Sequence, residues 1–186
     1  MARDTQKGFT LIEMILVIVA MGIIGSMAAT MLSQGSDIFV QETNRQGFVS
    51  KSRAAFWKLF REAQGQSSSA NYYQSNSTDL NLKDGNAVLK DFRLETSGNF
   101  NFRLGTGTYY PLSTSIENNL TDGFSFINSS YGNIQPAVGG LTLSEAQAVH
   151  MTKVDLTFVD DKDTLSLSTW IYPQNFRFGH KMSYHE

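Results

Sequence analysis

The longest apolar run of the chain lies close to its N-terminus. Residues 9–32 contain one charged side chain, Glu13, in a sequence dominated by Leu, Ile, Val, Met, Ala and Gly. As an α-helix the run would be roughly 36 Å long at about 1.5 Å per residue, which exceeds the bilayer hydrocarbon core of about 30 Å. The pattern predicts a single membrane-spanning helix.

A helical pattern continues beyond this run. Residues 36–63 contain no proline, and their apolar positions recur at spacings compatible with one helical face: Ile38, Val49, Phe56, Leu59, Phe60 and Ala63. The pattern is interrupted over residues 42–47, where we expect weaker packing or a bend. We predict one long helix over residues 9–63, and we assign its amphipathic second half to the segment of residues 33–64.

Short β-favouring runs follow a polar, turn-rich break at residues 65–71. They occupy residues 88–94, 100–104 and 123–127, and the clearest strand pair joins 153–159 to 164–171, where apolar and polar residues alternate. Each strand of that pair has one apolar face that a helix can cover. The predicted fold class is α+β, with a long N-terminal helix packed on a C-terminal antiparallel β-sheet within residues 65–186.

Composition and charge narrow the function classes. The chain of 186 residues has a formal net charge of −2 and no cysteine, so disulfides and thiolate sites are excluded and a nucleic-acid partner is not expected. Four basic residues on the second half of the helix fit its solvated face: Lys51, Arg53, Lys58 and Arg61. Arg3 and Lys7 precede the apolar run, so the positive-inside rule leaves residues 1–8 cytoplasmic and the β-rich domain outside.

The junction before the apolar run is the most specific motif. Lys7-Gly8-Phe9-Thr10-Leu11-Ile12-Glu13 resembles the prepilin leader junction of type IV pilins and type II secretion pseudopilins. The resemblance implies that residues 1–8 are a leader, which a prepilin peptidase of the inner membrane removes between Gly8 and Phe9. The same enzyme would methylate the new amino group of Phe9. The resemblance also implies a single-pass inner-membrane precursor with a periplasmic domain, which then joins a pilus or pseudopilus filament.

Glu13 is the anomalous residue of the predicted span. A carboxylate in a membrane segment costs a few kcal/mol on insertion scales, which calls for a partner or a role. One interpretation places Glu13 at the interfacial end of an ordinary anchor, in reach of headgroup water. The resemblance implies another: Glu13 pairs with the charged Phe9 amine of a neighbouring pilin subunit as it docks at the inner-membrane assembly platform.

Weaker resemblances concern the subunit type. Residues 52–63, residues 120–126 and the closing hairpin are similar to minor pseudopilins of the J class and to relatives in type IV and mannose-sensitive haemagglutinin pili. Major pilins often carry a proline partway along the first helix, whereas the first proline here is Pro111. These features favour a minor subunit. Retractable pilus, secretion pseudopilus and competence structure remain open.

No catalytic motif or cofactor site is evident, and we expect no enzyme activity. Asp160, Asp161 and Asp163 are candidate calcium ligands, although a solvated hairpin turn explains them more simply. Two other functions remain alternatives. A single-span envelope protein with a ligand-binding or adhesive domain would not be cleaved at Gly8. An exported enzyme with a removed signal peptide would be cleaved near Ala28.

Overall fold

A computed structural model describes residues 8–117, 123–161, 163–173, 176–177 and 180–181, and of the last four residues only the backbone. The chain divides into two units, Met1–Gln46 and Gly47–Glu186. The elements in chain order are α1 (Leu11–Gln64), a 3-10 turn (Ser69–Tyr72), β1 (Asp79–Lys83), β2 (Leu89–Leu94), β3 (Phe100–Leu104), β4 (Tyr110–Ser113), β5 (Phe124–Asn128), β6 (Asn133–Ile134), α2 (Leu143–Ala148), β7 (Val149–Asp160), β8 (Asp163–Ile171), β9 (Phe176–Arg177) and β10 (His180–Lys181).

The strands form two four-stranded antiparallel sheets and a small pair. The first sheet has the order β1-β2-β3-β4, so each strand pairs with its neighbour in sequence. The second has the order β6-β5-β7-β8, and β9 pairs with β10. The α+β class, with a long helix on antiparallel sheets, is confirmed.

Helix α1 is continuous across the predicted interruption, and its buried face begins at Phe48. The buried positions recur every three or four residues, as one face of a helix requires: Phe48, Ser52, Ala55, Phe56, Leu59 and Ala63. Ile38, predicted to share this face, is 61% exposed. That prediction was wrong because Ile38 belongs to the first unit, ahead of the part of the helix that meets the core.

The core of the second unit joins this helix face to both sheets. In the first sheet, Phe92 lies against Phe100 and Phe102, with ring centroids 5.9 and 4.9 Å away. In the second sheet, β7 alternates buried and half-buried positions along most of its length. All described buried hydrophobic residues fall at Phe48 or later in the chain. The second unit therefore contains its whole described core.

Charged side chains connect α1 to the first sheet. Lys90 Nζ on β2 lies 2.6 Å from Glu62 of α1 and 3.2 Å from Asp84 in the β1–β2 turn. Lys58 Nζ stands 4.0 Å above the ring centroid of Phe102. Because the Lys90 side chain is only 17% exposed, its two carboxylate partners offset the cost of burying its charge.

Candidate functional site

The first turn of α1 carries a capping box. Thr10 immediately precedes the helix, and its hydroxyl accepts from the Glu13 backbone N–H at 3.4 Å. Oε2 of Glu13 accepts in return from the Thr10 backbone N–H at 2.8 Å and from the Thr10 hydroxyl at 2.9 Å. The box satisfies N–H groups that a helix start otherwise leaves without partners. Both bonds to the carboxylate use Oε2, so Oε1 takes no part in the box.

This geometry gives Glu13 a role at the helix start, apart from the assembly role that the resemblance implies. A carboxylate in an apolar segment is less costly when donors reach it, and Thr10 supplies two. Thr10 was missed as a site residue at the sequence level. The signal was present, because a Thr three residues before a Glu, ahead of an apolar run, is the usual pattern of a capping box.

Gly8 and Phe9 precede the helix in an open arrangement. A side chain added at Gly8 would meet no described atom within 4 Å, and Gly8 does not have a left-handed backbone. Phe9 is 81% exposed. Because the fold of the described chain makes no demand for glycine at this position, any requirement for a small residue comes from a molecule that binds here. Residues 1–7, the rest of the predicted leader, lie outside the described residues.

The helix that follows presents apolar side chains outward on all sides. Within α1 an 18-residue window reaches a mean hydropathy of 2.4, and none of that window is buried. Two polar side chains bond back to the helix itself: Ser26 Oγ donates to the Ile23 carbonyl at 2.9 Å, and Thr30 Oγ1 to that of Met27 at 2.8 Å. By length and composition the helix can cross a membrane, and these hydroxyls would need no water there.

The three aspartates of the calcium hypothesis lie at the β7–β8 turn. Asp160 and Asp163 are opposite each other in the last register pair of the hairpin, and Asp161 has a left-handed backbone with a φ of 48°. This is the hairpin turn that the sequence predicted, with longer strands on either side. Among the described residues, no group of three or more Asp, Glu or His side chains is placed to hold a metal ion.

A family comparison matches the same N-terminal segment. Residues 3–29 match the family model described as the prokaryotic N-terminal methylation motif, and the matched segment contains Gly8, Phe9 and Glu13. The motif implies processing by a prepilin peptidase and assembly with other pilin subunits, and the family that carries it is structural rather than enzymatic. Together with the apolar helix it fits a membrane-anchored, type IV pilin-like subunit. Comparisons with curated proteins and with solved structures give no match.

Proposed function

We propose that the chain is a structural subunit, a minor pilin or pseudopilin, of a type IV pilus or type II secretion pseudopilus. The observation that carries the proposal is the match of residues 3–29 to the methylation motif. The precursor inserts once into the inner membrane with its β-rich domain in the periplasm. Prepilin peptidase cleaves it after Gly8 and methylates Phe9, and the platform assembles it with other subunits through α1.

The open geometry at Gly8 supports the cleavage step. A peptidase must bring catalytic groups to the Gly8–Phe9 bond, and neither residue is occupied by contacts with the described chain. The helix begins at Leu11, so only Phe9 and Thr10 lie between that bond and the helix. The cut therefore leaves the capping box of Thr10 and Glu13 whole, and the mature chain starts with a free amine beside a preformed helix.

Glu13 supports the assembly step. Its Oε1 is not used by the capping box, so one carboxylate can hold the helix start with one oxygen and receive a neighbouring amine with the other. A buried carboxylate without a partner is penalised, which would favour the axial offset at which the two charges meet. In this mechanism Glu13 selects the register between subunits, and no covalent chemistry is involved.

Intact-mass analysis of the protein recovered from membranes and from sheared filaments tests the proposal. The expected mass lacks residues 1–8 and carries one added methyl group. Gly8→Val should keep the full-length mass, because its side chain occupies the space at the scissile bond. Gly22→Val is the matched control, since Gly22 also lies in open space but away from the junction, and it should mature normally.

Two other masses would contradict the proposal. A product that begins near Ala28 would indicate an exported protein with a removed signal peptide. An intact N-terminus in cells with active prepilin peptidase would indicate a plain single-span anchor.

A further inference from the structure

An open groove lies on the second unit, where the segment after β4 runs between the first sheet and β7. Its volume is about 500 Å³, which is within the usual range of small-molecule sites. Ser97 and Gly98 of the β2–β3 turn, residues 114–117 and Val159 at the end of β7 line it. The lining residues all follow Gly47, so the groove does not involve the first unit.

Backbone hydrogen bonds hold the lining of the groove in place. Ile116 N–H donates to the Gly98 carbonyl at 2.9 Å, which fixes the segment to the β2–β3 turn. Two further bonds, of 2.6 and 2.9 Å, join residues 115–117 to β7 on either side of an antiparallel bridge between Ile116 and Phe158. The backbone around the groove is therefore fixed by the fold, which lowers the cost of binding a ligand there.

Alternation along this bridge directs two polar side chains to the same side. Ile116 is only 7% exposed and packs in the core, so its neighbours Ser115 and Glu117 face the opposite way. Ser115 lies across from Val159, whose side chain is half-buried. A hydroxyl and a carboxylate thus stand beside an apolar side chain within one groove.

The fold does not use the polar side chains of residues 114–117. Within the part of the chain that the structure describes, the hydroxyls of Thr114 and Ser115 and the carboxylate of Glu117 make no hydrogen bond or ion pair. The Ser97 hydroxyl donates to Glu95 Oε2 at 3.1 Å, which brings a second carboxylate to the rim. Three side chains of the groove therefore offer oxygen lone pairs to a ligand.

The charge of the groove selects a cation. Glu117 lines the groove and Glu95 lies beside it, whereas no Lys, Arg or His is among the described lining residues. A divalent metal ion fits poorly, because calcium takes about six to eight oxygen ligands and commonly several carboxylates. Among the described residues, no group of three or more Asp, Glu or His side chains is placed to hold a metal ion.

A primary ammonium group matches these acceptors. Its single positive charge is balanced by Glu117, and its three N–H donors suit one carboxylate and the two unused hydroxyl oxygens. A guanidinium is planar and is best met by a carboxylate that binds two of its N–H groups side by side. Val159 offers apolar surface to an aliphatic stem that ends in the ammonium group.

We propose that this groove binds a primary ammonium group on an aliphatic stem, such as a lysine side chain of a partner protein or a free diamine. The stem passes Val159, and the ammonium donates to Glu117, Thr114 and Ser115. Because the groove is open, it can hold the end of a chain whose remainder stays outside. The site lies away from Gly8, Phe9 and Glu13, and binding here does not require the proposed filament role.

Amide NMR of the full-length chain in detergent micelles tests the proposal. Titration with Nα-acetyl-lysine amide should shift the amide signals of Gly98 and Val159 progressively until they saturate. Nα-acetyl-norleucine amide is the matched probe, because it keeps the aliphatic stem and lacks the ammonium group. It should leave both signals in place at the same concentrations.

Glu117→Gln separates the charge of the groove from its shape. Glutamine keeps the size of the side chain and the backbone bond to β7, but it has no charge, so the Kd for Nα-acetyl-lysine amide should rise roughly fivefold. Glu42→Gln is the matched control. It removes the same charge from an exposed position of α1 outside the groove, and it should bind like wild type.

1,5-Diaminopentane distinguishes the two sources of the ammonium group. Tighter binding of the diamine, whose second ammonium can meet Glu95, supports a free amine as the ligand. Tighter binding of Nα-acetyl-lysine amide supports a side chain of a partner protein.

Four results would overturn the proposal. Equal shifts with the norleucine probe would show that apolar contact alone drives binding. An unchanged Kd for Glu117→Gln would show that the carboxylate is not the acceptor. Tighter binding of Nα-acetyl-arginine amide would assign the groove to a guanidinium. The absence of a shift at Gly98 and Val159 with every amine would show that the groove is not an ammonium site.

Discussion

The carboxylate of Glu13 serves the helix start through Oε2 and leaves Oε1 available. The cap acts within one chain, whereas the proposed pairing with a Phe9 amine acts between chains. Any substitution that removes the side chain removes both roles at once. Glutamine separates them, because a capping box accepts Glu or Gln at this position while only Glu is charged.

We predict that Glu13→Gln and Glu13→Val are both inserted and cleaved normally, and that both are incorporated poorly into filaments. The docking amine is charged at neutral pH and would enter an apolar bundle without a carboxylate, which typically costs several kcal/mol. The measurement is the ratio of processed protein in sheared filaments to that in membranes. Wild-type incorporation of Glu13→Gln, with loss of Glu13→Val, would show that the cap and not the charge matters.

Tyr72 is a second residue whose environment can be tested, because burial changes the pKa of its side chain. It is fully buried beside Phe126, with ring centroids 5.8 Å apart, and burial raises its pKa from 10.0 to about 12, although the Thr152 side chain opposes part of that rise. The folded chain therefore holds the neutral phenol more strongly than the unfolded chain does. This stabilisation is complete below pH 10 and is lost as the pH rises toward about 12.

The prediction for Tyr72 follows from this loss of stability at high pH. Between pH 10 and 12 the wild-type fragment should lose roughly 2 kcal/mol more unfolding free energy than Tyr72→Phe, which has no proton to lose. Urea denaturation across this pH range measures the difference. Tyr110→Phe is the control, because Tyr110 is 64% exposed, and it should follow wild type. Parallel curves for wild type and Tyr72→Phe would contradict the assignment.

At the scale of elements, α1 has buried and exposed side chains close together in sequence. Leu59 is completely buried, while Trp57, two residues earlier, is 59% exposed and contacts Phe60 edge-on at 5.2 Å. Leu59→Ala in the Gly47–Glu186 fragment should lower the unfolding free energy by about 2–5 kcal/mol, since it leaves a cavity in the core. Trp57→Ala should cost about 1 kcal/mol or less. Urea denaturation compares the two, and equal losses would show that Leu59 does not anchor the helix.

The sequence predicted the elements with strong periodicity and missed those whose signals are local or weak. The β3 bounds were predicted correctly, and β2, β5 and the β7–β8 hairpin were found within a few residues. Strand β1 was missed because Leu80 and Leu82 alternate over only five residues, and β4 because it contains Pro111. Helix α2 was missed despite the capping box of Thr142 and Glu145.

Other features of the fold were beyond sequence reasoning because they depend on distant contacts. The strand order of the second sheet, in which β5 pairs with β7 across α2, cannot be obtained from periodicity. Residues 120–122, part of the resemblance to J-class pseudopilins, lie outside the described residues. At the candidate site, Gly8, Phe9 and Glu13 were identified from sequence, and Thr10 was added by the structure.

At the scale of the whole molecule, the second unit should be independent of the first. All of the described core belongs to Gly47–Glu186, and α1 contributes its buried face from Phe48 onward. We predict that the Gly47–Glu186 fragment is soluble, monomeric and cooperatively folded, because it lacks the apolar run. Light scattering gives the mass, and circular dichroism during heating gives the cooperativity. An aggregated or filamentous fragment would show that polymerisation does not depend on the apolar helix.

The consecutive pairing of β1 to β4 has a consequence for the order in which the domain folds. Contacts between neighbouring strands are close in sequence and form quickly, whereas the β5–β7 pairing must wait for a longer stretch of chain. If the domain is exported N-terminus first, the first sheet can be complete once Ser113 has emerged, and β8 is made only after β1 to β7 are available to one another. Pulse-labelled hydrogen exchange during refolding should protect the amides of β2 and β3 before those amides of β5 that donate to β7. The second sheet is thus completed after the first, which limits the time in which β5 and β7 wait without each other during export.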